Sequence, residues 1–415
     1  MLQHILRSDQ RQHHFIQHVD HRLLLLLLVL GLFPWAAPVV ADGGLTVNSV
    51  ADAPDWRPGD GRCETAPSNG VCTLRAAIQE ANALAGRDNI SFNLPGAGVQ
   101  TIALATALPP ITAPVTLDGS TQSGASCAAW SLKLELDGRT LPGPAQGLVL
   151  RGGGSTVRGL VLNGFTTPIY LDTLGGNTIQ CNAIGNDATS TLNRAKADSA
   201  DALVGILLTK SAGNLIGGSE PGQGNRIAFP TGIYLDGANA NRLQGNRLTG
   251  LADNQANGNH GIVLANGASR NRIGGLAHGE ANRITNFGGA GVIITSGTGN
   301  SVRGNTIYAN GGLAVDLADD GVTANDVGDA DTGPNKLQNS PLITAVTTSA
   351  DQHLLVAAND AREPTDIAVP FTIGMWDKTP PVEVPLAKGR NVLRLSRTEP
   401  VKGLTIKDFT LTPVK

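Results

Sequence analysis

The 415-residue sequence predicts an all-β protein: a right-handed parallel β-helix solenoid with three short strands per coil, an N-terminal α-helical cap and a small C-terminal β module. Three observations lead to this fold: a repeat of 27 to 30 residues, apolar segments too short for helices, and a glycine-rich, charge-poor composition. The chain has 52 glycines and only 16% charged residues. Because glycine tolerates positive φ, this composition suits many tight turns between short strands.

The repeat consists of two alternating motifs. The motif Gly-[Ile/Val]-x-[Leu/Ile] begins at four glycines spaced by 27, 29 and 30 residues: Gly205, Gly232, Gly261 and Gly291. The motif Asn-x-[Ile/Leu/Val] occurs twice in each interval, at Asn214, Asn225, Asn241, Asn246, Asn271, Asn282, Asn300 and Asn305. Each unit therefore holds three apolar segments. One unit cannot bury its own apolar side, but stacked units can, with each strand paired in parallel to its equivalent in the next coil.

The N-terminal segment 1–41 has the pattern of a signal peptide. A polar, arginine-containing stretch precedes an 11-residue apolar run from Leu23 to Phe33, and small residues follow before Asp42. A membrane span needs about 20 residues, so this run is too short for one. We expect a bacterial protein that is secreted or displayed at the cell surface, with no membrane span in the mature chain. A membrane anchor is the alternative.

The remaining chain divides into three predicted segments: a cap (42–87), the β-helix (88–343) and a small C-terminal β domain (344–415). Within the cap, the apolar positions from Thr73 to Leu84 recur with helical spacing, which predicts a helix that plugs the first coil. Within the β-helix, Asp187–Leu203 breaks the strand pattern and is expected to form a loop insertion.

Four cysteines in an exported chain predict disulfide bonds. We favour the pairs Cys63–Cys72 and Cys127–Cys181. A zinc site is the alternative, but the sequence after the predicted signal peptide has no CxxC pair or histidine cluster to support it.

Two segments near the N-terminus resemble a known family. The sequences PGDGRC at 58–63 and CTLRAAIQEANA at 72–83 are similar to the CSLREA domain, which begins bacterial secreted β-helix proteins. Motifs further along, such as Asp118–Gln122 and Asn214–Gly218, extend the resemblance over roughly residues 45–343. The resemblance implies export and a pectin-lyase-like fold. It implies no particular reaction, because fold does not determine function.

We predict no catalytic residue. Polysaccharide hydrolases need paired carboxylates, and on a solenoid such groups should recur on neighbouring coils. The positions that follow the glycine motif are instead Arg151, Thr209, Asp236, Ala265 and Thr295. Only one of them is acidic, and we interpret it as a turn residue.

Arginine, in contrast, recurs after the asparagine motifs, at Arg226, Arg242, Arg247, Arg272 and Arg283. Strand alternation should point these side chains outward, about 4.8 Å apart on successive coils. Guanidinium groups suit carboxylates and sulfates, so we hypothesise a basic stripe that binds an anionic polysaccharide or a cell-surface glycan. The alternative is an ordinary solvated face.

The eight motif asparagines themselves are expected to be structural, since stacked asparagine side chains hydrogen-bond to one another and to the backbone. A different hypothesis concerns calcium, the only cofactor that the sequence suggests. Asp326, Asp329 and Asp331 lie in an acidic, glycine-containing loop whose oxygens suit a hard cation. A solvated loop is the alternative there.

Three functions follow from these observations. The favoured one is a secreted, non-catalytic β-helix protein that binds or adheres to extracellular glycans. The alternatives are a polysaccharide lyase or glycoside hydrolase of the pectin-lyase-like fold, and a passive stalk or export module. The net charge of −3 gives no indication of nucleic-acid binding.

Overall fold

The computed structural model describes residues 44–186, 203–251, 259–325 and 331–338, together with the backbone of three short strands further on. The signal peptide and nearly all of the insertion lie outside the described residues. In chain order the elements are β1 (Leu45–Val47), α1 (Leu74–Ala83), β2 (Asp88–Phe92), β3 (Gln100–Ala103), β4 (Val115–Asp118), β5 (Leu134–Asp137), β6 (Gln146–Leu150), β7 (Thr156–Arg158), β8 (Leu160–Asn163), β9 (Thr167–Asp172), β10 (Thr178–Gln180), β11 (Ala183–Ile184), β12 (Val204–Thr209), β13 (Leu215–Gly217), β14 (Arg226–Ala228), β15 (Thr231–Asp236), β16 (Arg242–Gln244), β17 (Arg247–Thr249), β18 (Ile262–Ala265), β19 (Arg272–Gly274), β20 (Arg283–Thr285), β21 (Val292–Ile294), β22 (Ser301–Arg303), β23 (Thr306–Tyr308), β24 (Val315–Leu317), β25 (Thr347–Thr348), β26 (Leu354–Val356) and β27 (Thr365–Ile367).

Strands β1–β24 form three long parallel sheets, which confirms the predicted parallel β-helix. Sheet A has nine strands in the order β1-β2-β4-β7-β10-β13-β16-β19-β22. Sheet B has eight (β3-β5-β8-β11-β14-β17-β20-β23), and sheet C has seven (β6-β9-β12-β15-β18-β21-β24). From β6 onward the chain visits sheets C, A and B in turn, so each coil contributes one strand to each sheet.

The core lies inside the coils and is built from equivalent residues of successive strands. Ile206, Ile233 and Ile262 are in register in sheet C, and none of them is exposed. Each buried aliphatic side chain of this kind contributes about 1.5–3 kcal/mol. Because every coil contributes the same three apolar columns, the repeat motif of the sequence becomes one continuous core.

Two asparagine ladders run along the turns on either side of sheet A. Asn177, Asn214, Asn241, Asn271, Asn300 and Asn335 form one ladder, and Asn182, Asn225, Asn246, Asn282 and Asn305 form the other. At a typical step, the Nδ2 of Asn225 donates to the Oδ1 of Asn246 at 2.9 Å, and the backbone N–H of Asn225 donates to the same oxygen at 3.1 Å. The ladders therefore satisfy buried backbone groups and fix the register of the coils.

The cap helix α1 plugs the N-terminal end of the stack, as predicted. The Thr73 hydroxyl accepts a hydrogen bond from the N–H of Ala76 at 3.0 Å, which begins the helix. Leu74 and Ile78 are buried in the core. Strand β1 pairs in parallel with β2, so sheet A already begins within the segment assigned to the cap. The predicted disulfide Cys63–Cys72 is present beside the helix.

The C-terminal segment 344–415 is described only at β25, β26 and β27. These strands form a small antiparallel sheet, unlike the parallel sheets of the coils. The remainder of the predicted C-terminal domain lies outside the described residues.

A buried pair of carboxyl groups lies in the cap. Glu80 accepts hydrogen bonds from the N–H groups of Gly59 and Gly61, each at 2.5 Å. Asp55 is within hydrogen-bonding reach of Glu80, and one of its buried oxygens has no donor among the described residues. Burial is the main cause that raises the pKa of the Glu80 carboxyl, and Asp55 adds to it, although the two glycine N–H groups lower it.

The carboxyl pair predicts a cap that is less stable at neutral pH than in mild acid. The pKa of Glu80 is higher in the folded than in the unfolded chain, so its contribution to stability is lost as the pH rises through that raised value. We expect Asp55→Asn, which removes a charge and adds a donor, to raise the thermal midpoint at pH 7–8 by about 2 °C. Thermal unfolding between pH 4 and 8 measures this, with the exposed Asp60→Asn as the control. A lowered midpoint at neutral pH would contradict the conclusion that Asp55 raises the pKa of Glu80.

The second asparagine ladder predicts a large cost for losing one of its members. Asn246→Ala would leave the Asn225 N–H without its acceptor and the Ile216 carbonyl without its donor. Leaving such buried groups unsatisfied costs about 1–3 kcal/mol each. We expect a loss of that order in denaturant unfolding. Asn93→Ala, which removes an exposed asparagine outside the ladders, is the control, and equal stability of the two variants would refute this role.

Candidate functional site

The arginines predicted to form a stripe lie in register on adjacent coils. In sheet B, Arg226 of β14 pairs with Arg247 of β17, which pairs with Arg283 of β20. In sheet A, Arg242 of β16 pairs with Arg272 of β19. The structure therefore brings the five arginines together as two columns, one on each side of the second asparagine ladder. We call them the sheet B column and the sheet A column.

Aromatic rings offset the like-charge repulsion within the sheet B column. The guanidinium of Arg226 lies 4.0 Å from the centre of the Trp130 ring, and that of Arg283 lies 5.3 Å from the centre of the Tyr308 ring. Burial, and secondly the charge of Arg247, lower the pKa of Arg226 below its usual value. Among the described residues, no carboxylate lies within ion-pair distance of Arg247.

The sheet A column is partly neutralised. Arg272 forms an ion pair with Glu280, and the same carboxylate accepts a hydrogen bond from Gln244 at 2.9 Å. Both sheet A arginines are exposed. The sheet B column differs at Arg247, which has no carboxylate within ion-pair distance among the described residues.

A pocket of about 270 Å³ lies at the Arg226 end of the sheet B column. Trp130, Glu220, Arg226, Arg247 and His278 all line it. Its chemistry is mixed: two cations, an imidazole, a carboxylate and an indole face the same space. Such a site can bind an anionic group through the arginines while the other polar groups contact hydroxyls.

Three loops pack on one another to form the pocket. Residues 126–131 carry Trp130, residues 218–224 carry Glu220, and residues 275–280 carry His278. A side chain at Gly222 would collide with the backbone of Cys127, and one at Gly279 would collide with the backbone of Ser219. Both glycines also have positive φ, so only glycine allows the loops to approach this closely.

The predicted disulfide Cys127–Cys181 is present and joins the Trp130 loop, which follows β4, to the turn after β10, two coils further along the stack. Beside this bond the loop covers Val161 and Ala183 on the outer face of sheet B. The indole N–H of Trp130 is buried and has no acceptor among the described residues. The disulfide thus holds an aromatic wall with an unpaired donor next to the arginines.

Sequence reasoning missed most of the pocket. The motifs named Arg226 and Arg247 but not Trp130, Glu220 or His278. The position of Trp130, three residues after a cysteine whose predicted partner lies two coils away, was the available signal. The loop-to-loop contacts Gly222–Cys127 and Gly279–Ser219 join residues 95 and 60 positions apart, and no local pattern in the sequence encodes them.

The prediction that Asp236 is the only acidic residue at its position in sheet C was wrong. Strand β9 carries Asp172, which aligns with Thr209 and, one coil further, with Asp236. We missed Asp172 because its strand begins Thr-Pro-Ile rather than with the glycine motif. Asp172 forms an ion pair with Arg151 at 2.8 Å, and Asp236 accepts a hydrogen bond from Asn266 at 2.6 Å.

Neither His260 nor the predicted calcium loop belongs to a cluster of metal ligands among the described residues. His260 accepts a hydrogen bond from the N–H of Ala290 at 2.9 Å, and burial lowers its pKa. Asp326 and Asp329 lie outside the described residues, whereas Asp331 is half-buried within them. Within the described part of the chain, no three histidine, cysteine or acidic residues are grouped as metal ligands. The calcium hypothesis stays a prediction.

Comparison with known proteins adds no relative. No protein-family model matches the chain, and no curated protein matches its sequence. Within the described residues, no helix has the length and apolar character required to cross a membrane. The fold and the site define the class of protein by themselves: a parallel β-helix with a basic, loop-walled pocket on its outer face.

Proposed function

We propose that the protein is a secreted, non-catalytic β-helix that binds an anionic polysaccharide or a cell-surface glycan through the sheet B column and its pocket. The observation that carries this proposal is the register of Arg226, Arg247 and Arg283 on three adjacent coils. Their backbones are separated by about 4.8 Å per coil, a spacing similar to the length of one sugar residue.

The electrostatics support an anionic ligand. Three guanidinium groups in one column repel each other, and Arg247, the central one, has no carboxylate within ion-pair distance among the described residues. A carboxylate or sulfate bound beside Arg247 would reduce this repulsion and accept charge-assisted hydrogen bonds. Two disulfides support an oxidising, extracellular environment, in agreement with the predicted signal peptide and the CSLREA resemblance.

Binding should depend on arginines in the column and not on total charge. Each lost charge-assisted hydrogen bond costs about 1.5–3 kcal/mol, so Arg247→Ala and Arg283→Ala should each weaken binding of a polyuronate or sulfated polysaccharide roughly 10- to 100-fold. Calorimetric titration measures this, and added salt should weaken wild-type binding further. Arg57→Ala removes an exposed arginine of the cap and is the matched control. If no anionic polysaccharide binds, the passive-stalk alternative is favoured.

A polysaccharide hydrolase is a second candidate, favoured by one observation. Asp172 and Asp236 lie two coils apart in sheet C, roughly 10 Å between their backbones. Tyr170 and Tyr234 lie beside them at the same two-coil spacing. Inverting hydrolases separate their carboxyl groups by about 6.5–9.5 Å. The ion pair of Asp172 with Arg151 and the bond of Asp236 to Asn266 favour a structural role for both.

The non-catalytic proposal predicts that no depolymerised product forms when the mature chain is incubated with anionic and neutral polysaccharides, with or without Ca²⁺. Reducing-end assays and chromatography of the products measure this. We also expect Asp172→Asn and Asp236→Asn to leave binding at the sheet B column unchanged, because both aspartates lie on a different sheet. If the unchanged protein forms depolymerised product and either aspartate variant does not, the protein is a hydrolase that uses these carboxylates.

A further inference from the structure

The sheet B column is open at one end and closed at the other. Beyond Arg226, the same column continues through Ala183 to Val161. Both of these side chains are fully buried (0% exposed) and belong to the apolar cluster beneath the Trp130 loop. In the other direction, Arg247 and Arg283 are exposed. The outer face of sheet B therefore has a step at Trp130, where the exposed arginines end.

The step is a rigid structure. The backbone groups of Ser126 and Ser131 form two hydrogen bonds of 2.8 Å across the base of the Trp130 loop. The disulfide Cys127–Cys181 attaches the loop to the coil, and Gly222 packs against it from the neighbouring loop. A ligand that lies along the column cannot displace this wall without breaking these contacts.

We infer that the pocket receives the end of an anionic glycan chain, so that the protein recognises a chain terminus and not the interior of a polymer. This inference rests on the proposed function. A chain lying along Arg283 and Arg247 reaches Arg226 and stops against Trp130. The volume of about 270 Å³ suits one terminal sugar, since pockets for larger ligands occupy about 300–1,000 Å³.

The pocket lining suits a terminal sugar that carries a carboxylate or a sulfate. The guanidinium groups of Arg226 and Arg247 donate charge-assisted, bidentate hydrogen bonds to the anionic group. Glu220 accepts hydrogen bonds from free hydroxyls, which a chain terminus has in greater number than an internal residue. An anionic oxygen near Trp130 would supply the acceptor that its buried N–H lacks. Both anion types share this chemistry, so the experiment includes one ligand series of each.

The stoichiometry of binding to oligomers of defined length tests the inference. The mature full chain is titrated with polyuronate and sulfated oligosaccharides of increasing length, and the mass of the complexes is measured by sedimentation. We expect one protein per oligosaccharide at every length, because only one of the two chemically different ends fits the pocket. A number of bound proteins that grows with length would overturn terminal recognition while leaving the proposed function intact. No binding of either series would overturn both.

Blocked chain ends and a tryptophan variant provide the second measurement. A bulky aryl group attached to one end of a short oligosaccharide should reduce its affinity at least tenfold, and the same group on the other end should not. Trp130→Ala removes the wall and should abolish this difference. Trp56→Ala, which removes a tryptophan that is 63% exposed in the cap, should leave the difference unchanged. Equal affinity of both blocked forms for the wild-type protein would contradict the inference.

Discussion

The register between coils is the constraint on which the rest of the structure depends. Parallel pairing alone would tolerate a shift of neighbouring strands, but a shift of one residue would move every core side chain to the outer face. The asparagine ladders prevent such a shift, because each side chain bonds both the backbone and the side chain of its equivalent in the adjacent coil. The same register that keeps the isoleucines inside keeps the arginines outside and aligned. Core and surface are thus two results of one hydrogen-bonding pattern.

The site arises where this regular scaffold is interrupted. The strands place arginines at fixed intervals, while the longer turns after sheet A and the Trp130 loop provide the walls of the pocket. Function on a rigid scaffold is commonly carried by such loops. Here the disulfide Cys127–Cys181 and two close-packed glycines restrict the loops, so the pocket is already formed without a ligand. A preformed site loses less entropy on binding than a flexible one.

The sequence predicted the features that repeat and missed those that do not. The coils, the ladders and the two arginine columns follow from local motifs whose spacing is the coil length. Asp172 was missed because its strand lacks the glycine motif, although it aligns in register with the strands that have it. The pocket was missed for a different reason: Trp130, Glu220 and His278 lie on loops of unequal length, and their contacts depend on three-dimensional packing. Only the cysteine pairing indicated that one of these loops returns to the coils.

A crystal structure of the protein with a short anionic oligosaccharide tests terminal binding at the sheet B column most directly. We expect electron density along Arg247 and Arg283, with a carboxylate or sulfate between Arg226 and Arg247 and the chain ending against Trp130. Density on the outer face of sheet C, beside Asp172 and Asp236, would contradict it and indicate a hydrolase-like site. A ligand that continues past Trp130 would support binding at the sheet B column but would contradict recognition of a chain terminus.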